Sequence, residues 1–507
     1  MKPSKTLDEV LELASKYRII PLTHTLFSGN DTPLSIYEKL TDGRPGSFLL
    51  ESADQGVWSR FSFIGVNTRG SLIKQRDGSC KWISASGESA FPDPSVKLTL
   101  GGLESIEAVI QAWPSHTQAD LPPLTSGLVG MLGWNIIREI EELQPGKPSD
   151  YVCADLCLSM VSDMVIVDHL SGSLVLLANV FVADDEDVES AYASALLRLR
   201  DLKTKLLKPA KPFLAEVNLD AAADSISRST RAEFLDSVEK AKEHINKGDV
   251  FQVVLSQRFD QTLNASARDS YRILRSLNPS PYMYLLNLSD ESGAFSVVGS
   301  SPEALVTVTS SAVTMHPIAG SRPRGKTTEE DISLADNLVD DAKETAEHLM
   351  LVDLARNDLL KVCAPSSVEV SEFMQIRRFS HIMHLVSTVE GRLSSEKSAV
   401  DVFRATFPAG TLSGAPKPKA LEIIERLEPT SRGIFGGVVG YFDFAGNADL
   451  AIAIRTAFIR DSVAYVQAGA GIVLDSDPNS EFDETLNKAK ATMVAITAAN
   501  GMRVISE

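Results

Sequence analysis

Cysteine, clustered basic charge and long apolar runs are all scarce in this chain of 507 residues, and each scarcity removes a class of function. The four cysteines, Cys80, Cys153, Cys157 and Cys363, are too few and too scattered for a disulfide framework, and none stands in a pattern with zinc spacing. A formal net charge of -18 without any Lys/Arg cluster argues against nucleic acid or an anionic membrane surface as a partner, since both need concentrated positive charge. The best apolar run, Leu174 to Ala183, falls far short of the ~20 residues that span a bilayer. The first residues place Lys2 and Lys5 ahead of Asp8 and Glu9, with no apolar segment of signal-peptide type. A soluble, cytoplasmic protein is expected. P-loop and dinucleotide-binding glycine spacings are missing, as are Ser or Cys nucleophile motifs, tandem repeats and heptads.

The length, in contrast, is ample for two or more cores or one large sheet-based core. From about 40 to 215 short apolar strands dominate, and Asp163 to His169 with Leu174 to Val182 flank Ser171-Gly172 as a hairpin. The stretch Lys203 to Ser229 is rich in Lys, Pro, Ala and Asp and carries no periodicity, so the reading is an N-terminal domain over 1–215 and a second over 229–500. Thr230-Arg231-Ala232-Glu233 reads as a capping box opening a helix with Phe234, Val238, Ala241 and Ile245 on one face. Strand-like runs at 251–255, 304–308, 437–442, 450–458 and 462–468 alternate with helical segments around 333–360, 398–407, 417–427 and 480–499, which predicts an α+β fold with large sheets.

Two acidic helix faces are candidates for chemistry. In Ser480 to Lys488, Glu481, Glu484 and Lys488 share one face, and two carboxylates a turn apart suit a hard cation such as Mg2+, which takes one or two protein carboxylates and keeps water or substrate oxygens. By spacing alone, such a pair is ordinarily solvated surface. The preceding strand runs through Gly469, Ala470 and Gly471, where backbone can approach a ligand closely. Glu347 lies at the edge of an apolar stripe on a second helix, where a carboxylate turned to the core needs a partner. Segments read as loops, Gly299 to Glu303, His316 to Gly325, His381 to His384 and Pro408 to Lys417, supply N–H groups and hydroxyls suited to carboxylate binding.

Taken in order, Phe251 to Ser256, Ser301-Pro302-Glu303, Pro317 to Gly320, Ala346-Glu347-His348, Leu351 to Asp358, Gly410 to Lys417 and Gly469 to Val473 resemble the chorismate-utilising enzymes. Within that family the likeness is to the anthranilate-forming large subunits, and Leu49 to Ser52 with Gly127 to Gly130 resemble their N-terminal domain. The resemblance implies a sandwich of large antiparallel sheets with flanking helices. It implies Mg2+ on Glu347 and Glu484 with Glu481 beside them, and carboxylate binding by Arg455 and Lys488, helped by Thr411 and the backbone at Gly469, Ala470 and Gly471. Ala319, Gly320, Ser321 and Phe435 would line the substrate site, with Phe435 replacing a tyrosine common in relatives. Glu303 would assist loss of the C4 hydroxyl, and His384 would sit at the ring.

Gln252 stands where water-using relatives carry a lysine base; ammonia is already a nucleophile and needs none. Ala319 likewise stands where aminodeoxychorismate-forming relatives carry a lysine nucleophile. The expected reaction is therefore chorismate plus ammonia to anthranilate and pyruvate. No segment resembles a glutamine amidotransferase, so a separate glutaminase subunit is the expected partner. Glu51, Ser52, Pro281, Tyr282, Met283 and Tyr441 match the L-tryptophan pocket of feedback-inhibited members. Rival expectations are aminodeoxyisochorismate formation without pyruvate loss, and a tryptophan-sensing homologue without catalysis.

Overall fold

The computed structural model describes residues 2–27, 29–52, 60–75, 77–85, 96–98, 101–118, 121–183, 187–210, 213–221, 224–378 and 382–505; His381 lies outside them. Among the described residues, 21 strands join into one hydrogen-bonded network whose ladders are antiparallel, with helices packed against its faces. This is the expected α+β class. No helix in the described residues is long and apolar enough to cross a membrane.

The elements form where local chemistry and burial agree. Thr230 and Glu233 close both halves of the predicted capping box, and the helix Arg231–Asn246 that follows buries Phe234, Val238 and Ala241. Leu156–Asp168 and Ser173–Phe181 pair as the predicted hairpin. Both strands are buried almost throughout; Ser173–Phe181 reads accordingly as a nearly continuous apolar run, while Leu156–Asp168 also buries Ser159, Ser162 and Asp163.

Strands from the two ends of the chain hydrogen-bond directly. Phe48–Glu51 pairs with Tyr282–Asp290, and Gly127–Leu132 pairs with Val438–Asp443. The described residues of the intervening stretch, 213–221 and 224–229, are mostly exposed and include the short strands Ala215–Glu216 and Ser225–Ser227. At the centre of the C-terminal half lies Gln252–Thr262, flanked by Val463–Ile472 on one side and by Gly414–Ala415 and Ser225–Ser227 on the other.

Several sequence expectations need correction. The single strand expected over 450–458 is two strands, Ala448–Ile452 and Thr456–Arg460, separated by a kink in which Arg455 adopts φ +50°. The helix expected over 333–360 is likewise two, Thr328–Asp340 and Ala342–Leu360. Asp341 breaks the run because its carboxylate caps the second helix, accepting from the Lys343 and Glu344 amides. Three segments read as loops fall largely on strands: Gly299 to Glu303 at the end of Gly293–Ser301, His316 to Gly325 across Ile318–Pro323, and the described part of His381 to His384 at the start of Ile382–Arg392. Glycine, proline and serine in them mimic turn composition.

Candidate active site

Four elements converge around Gln252. Its side-chain amide donates to Glu347 Oε1 at 3.3 Å, joining the first residue of the central strand to the Ala342–Leu360 helix. On the neighbouring strand, Ala468, Ala470 and Ile472 turn into the core while Gly469 and Gly471 take the opposite face. A Cβ on Gly471 would come within 2.5 Å of the Gln252 amide nitrogen, so glycine is needed for that amide to lie there. Ala470 thus presents only its backbone to any ligand. Lys488, from the Pro478–Asn500 helix, donates to the Gly469 carbonyl at 3.0 Å and pairs with Glu484 at 2.6 Å.

The acidic helix face is split by its environment. Glu481 is 9% exposed, whereas the Glu484 side chain is 46% exposed. Burial raises the Glu481 carboxyl, with a hydrogen bond from Ser476 opposing and the Glu484 charge reinforcing the rise; Lys343 and Lys488 lower it. On the facing helix, burial and the neighbouring Glu347 charge raise Glu344. Lys343 thus brings the start of one helix into electrostatic reach of the other. Among the described residues no three His, Cys, Asp or Glu side chains form a ready metal cluster. The repulsion lies within each helix, Glu481 with Glu484 and Glu344 with Glu347, and two carboxylates a turn apart do fit a hard cation completed by water or substrate oxygens.

Glu303 follows the Gly293–Ser301 strand and is bound by the Thr411 hydroxyl, which donates to Oε1 at 3.0 Å. Thr411 comes from the short turn Gly410–Leu412. Burial pushes the Glu303 carboxyl up to about 7, against the smaller lowering effects of Thr411 and the Lys488 charge. Glu303 and Thr411 also line an open, largely apolar cleft of about 410 Å³ with His316, Leu351, Leu354 and Asp358.

His384 reaches the same region from the Ile382–Arg392 strand. The strand pairing slips between Ala319 and Ser321, where Gly320 takes φ +67° and turns its carbonyl to His384 Nδ1 at 3.0 Å. A carbonyl only accepts, so Nδ1 carries the proton and Nε2 has the basic lone pair. Burial lowers the His384 pKa, and the Arg455 charge adds to that. The kink at Arg455 aims its guanidinium at Asn278 Oδ1, 3.2 Å away, while its carbonyl accepts from the Ser300 amide. Nothing local in the sequence pairs Asn278 with Arg455. Phe435 is 5% exposed and has the Arg432 guanidinium 5.4 Å from its ring centre.

The second predicted set also comes together. Glu51 lies opposite Met283 in the sheet, with its side chain 2% exposed. Arg275 Nε pairs with it at 2.7 Å and the Tyr271 hydroxyl donates to it. Ser52 follows with half-buried exposure, as do Pro281 and Tyr282. Tyr441 sits opposite Asp449 across its ladder, and Tyr282 hydrogen-bonds Asp449, whose carboxyl burial lifts to about 6.

The chain matches a family model described as chorismate binding enzyme over residues 47–494. It is 48% identical to anthranilate synthase component 1 of Arthrobacter globiformis, covering 99% of this chain and 95% of that protein. It is also 48% identical to anthranilate synthase component 1 of Mycolicibacterium smegmatis, over 96% of this chain and 92% of that protein. Among solved structures it resembles anthranilate synthase component I from Streptococcus pneumoniae, with a TM-score of 0.74 and 35% identity, covering 87% of this chain and 93% of the other.

Proposed function

The chain belongs to the chorismate-binding enzyme family, and from that premise we propose that it works as an anthranilate synthase component 1, turning chorismate and ammonia into anthranilate and pyruvate for tryptophan synthesis. The observation that carries this reading is a half-buried Glu303 whose carboxyl is lifted to about 7 by desolvation, beside a site with neither of the family's lysines: Gln252 occupies the position of the water-activating base and Ala319 that of the nucleophile.

In this reading Glu303 protonates the C4 hydroxyl, which leaves as water while ammonia attacks C2. The His384 Nε2 lone pair then takes the C2 proton as the C3–O bond breaks, and the enolpyruvate that departs from the aromatic ring takes up a proton to become pyruvate. Arg455 and Lys488 bind the two carboxylates of the substrate, and the Gly469 and Gly471 backbone allows their close approach. Glu347 and Glu484 would hold Mg2+, with Glu481 supporting them, and the bound ion would supply positive charge at the ring carboxylate. The Gln252 amide on Glu347 supports this arrangement, because it orients one carboxylate before the ion binds.

The component 1 names of the relatives imply a second component. For this chain we propose a glutamine amidotransferase subunit that delivers ammonia, and feedback inhibition by L-tryptophan bound at Glu51, Ser52, Pro281, Tyr282, Met283 and Tyr441. The Asn278 contact to Arg455 supports such coupling, since Asn278 lies three residues ahead of Pro281 in the chain and meets a proposed substrate-binding cation. The domains proposed are 1–215 and 229–500, in a cytoplasmic enzyme.

Product analysis tests the reading. Purified chain with chorismate, Mg2+ and ammonium is expected to yield anthranilate and pyruvate in equal amounts. Accumulated aminodeoxyisochorismate would favour amination without elimination, and isochorismate formed from water would remove the Gln252 argument.

A further inference from the structure

We infer that Arg432, with its partner Glu428, is a positioning residue that holds the Thr411 turn against the Gln252 strand and so fixes the acid end of the site; the inference rests on the roles given to Glu303 and Thr411 above. Arg432 is 1% exposed. Its Nη1 donates to the Leu412 carbonyl at 2.7 Å and its Nη2 to the Val254 carbonyl at 2.9 Å. Leu412 adjoins Thr411, and Val254 lies two residues from Gln252. One guanidinium therefore bridges the main chain of the two segments that bear an acid-binding hydroxyl and the amide on Glu347.

Glu428 fixes the guanidinium in turn. It accepts from Arg432 Nε at 2.8 Å and Nη2 at 2.6 Å, and from the Ser256 amide and hydroxyl at 2.9 and 2.6 Å. The ring of Trp134 closes over the guanidinium at 4.4 Å. Directly after the turn, Gly414 lies so close to the strand that a Cβ would meet the Gln252 carbonyl at 2.2 Å. Small displacements of the turn therefore move Thr411 relative to Glu303.

Bulk stability is a poor account of this pair. Burying two charges costs heavily in desolvation, and apolar residues of similar volume commonly serve a core as well. What apolar residues lack is two donors at a fixed angle for two carbonyls. Lysine lacks that planar fork as well, although it keeps the charge.

The test is a double-mutant cycle on kcat with R432K and T411V, using the whole chain with chorismate, Mg2+ and ammonium. R432K is expected to lower kcat by about 30-fold, since misplacing a reacting group by an ångström costs up to about 100-fold, while KM for chorismate changes less than about threefold. Because Arg432 acts through Thr411, the double variant should be no slower than the slower single variant. The alkaline limb of the kcat profile, read at constant free ammonia, should move upward in R432K as in T411V, because both lose a hydroxyl donor that favours the Glu303 carboxylate. Should R432K not fold, E428Q/R432M, which removes both charges and keeps the volume, carries the same cycle. Multiplying rate losses, an unmoved pH limb, or wild-type kcat in E428Q/R432M would overturn the inference. A wild-type chain that makes no anthranilate would instead overturn the functional reading beneath it.

Discussion

Glu303 and Glu51 are both carboxyl groups withdrawn from water, yet one meets a hydroxyl and the other a guanidinium. At Glu303 the contacting partner is Thr411, and the Lys488 charge acts only from a distance, so burial dominates and the group lies near 7. At Glu51 the Arg275 guanidinium and the Tyr271 hydroxyl both bind the carboxylate. The first arrangement can give up a proton at neutral pH. The second ties a strand of the N-terminal half to the Ala267–Leu277 helix and leaves the carboxylate as a fixed acceptor. The Glu303 carboxyl meets one neutral donor and the Glu51 carboxyl meets a cation as well as a hydroxyl, so the two differ in partner chemistry.

The contrast breaks most sharply at the acid. E303Q is expected to lower kcat by about 1,000-fold, within the range of general-acid effects, and anthranilate fluorescence measures it. The same variant gives a stability test. A folded-state value near 7 against about 4.3 unfolded means that wild-type stability falls as pH rises through that interval. E303Q should therefore melt above wild type at pH 8 and level with it at pH 4, as thermal unfolding would show.

A smaller effect is expected at the anchor. E51A should raise the tryptophan concentration for half-inhibition by about tenfold relative to its own uninhibited rate, the loss of about one charged hydrogen bond, and an inhibition curve reads it. The pH profile sharpens the comparison further. Wild-type kcat at constant free ammonia should fall as pH rises through about 7, because Glu303 acts protonated. The smallest effect belongs to Y271F, which removes one donor to Glu51 and should cost about 1.5 kcal/mol by denaturant titration.

The sequence carries these two sites unequally. Wherever a signal is local it is legible: the Thr230–Glu233 capping box, the hairpin at Ser171-Gly172, and the spacing of Glu481, Glu484 and Lys488 on one helix. The split of that last face into a buried Glu481 and an exposed Glu484 is not legible, because it depends on which side the neighbouring strand packs. Nor is the kink at Arg455, which an unbroken apolar run conceals, nor the break at Asp341, where helical composition continues on both sides. Arg432 is the extreme case. Its contacts to Val254 and Leu412 lie 178 and 20 residues away, and no periodicity relates them.

The central claim is that Glu303 holds its proton up to about pH 7 in the folded chain. Isotope-edited infrared difference spectroscopy between wild type and E303Q, with labelled glutamate carboxyls, reads it directly. A protonated-acid carbonyl band that E303Q lacks, disappearing as pH rises through about 7, is the predicted result. A carboxylate band alone at pH 6 would contradict the account.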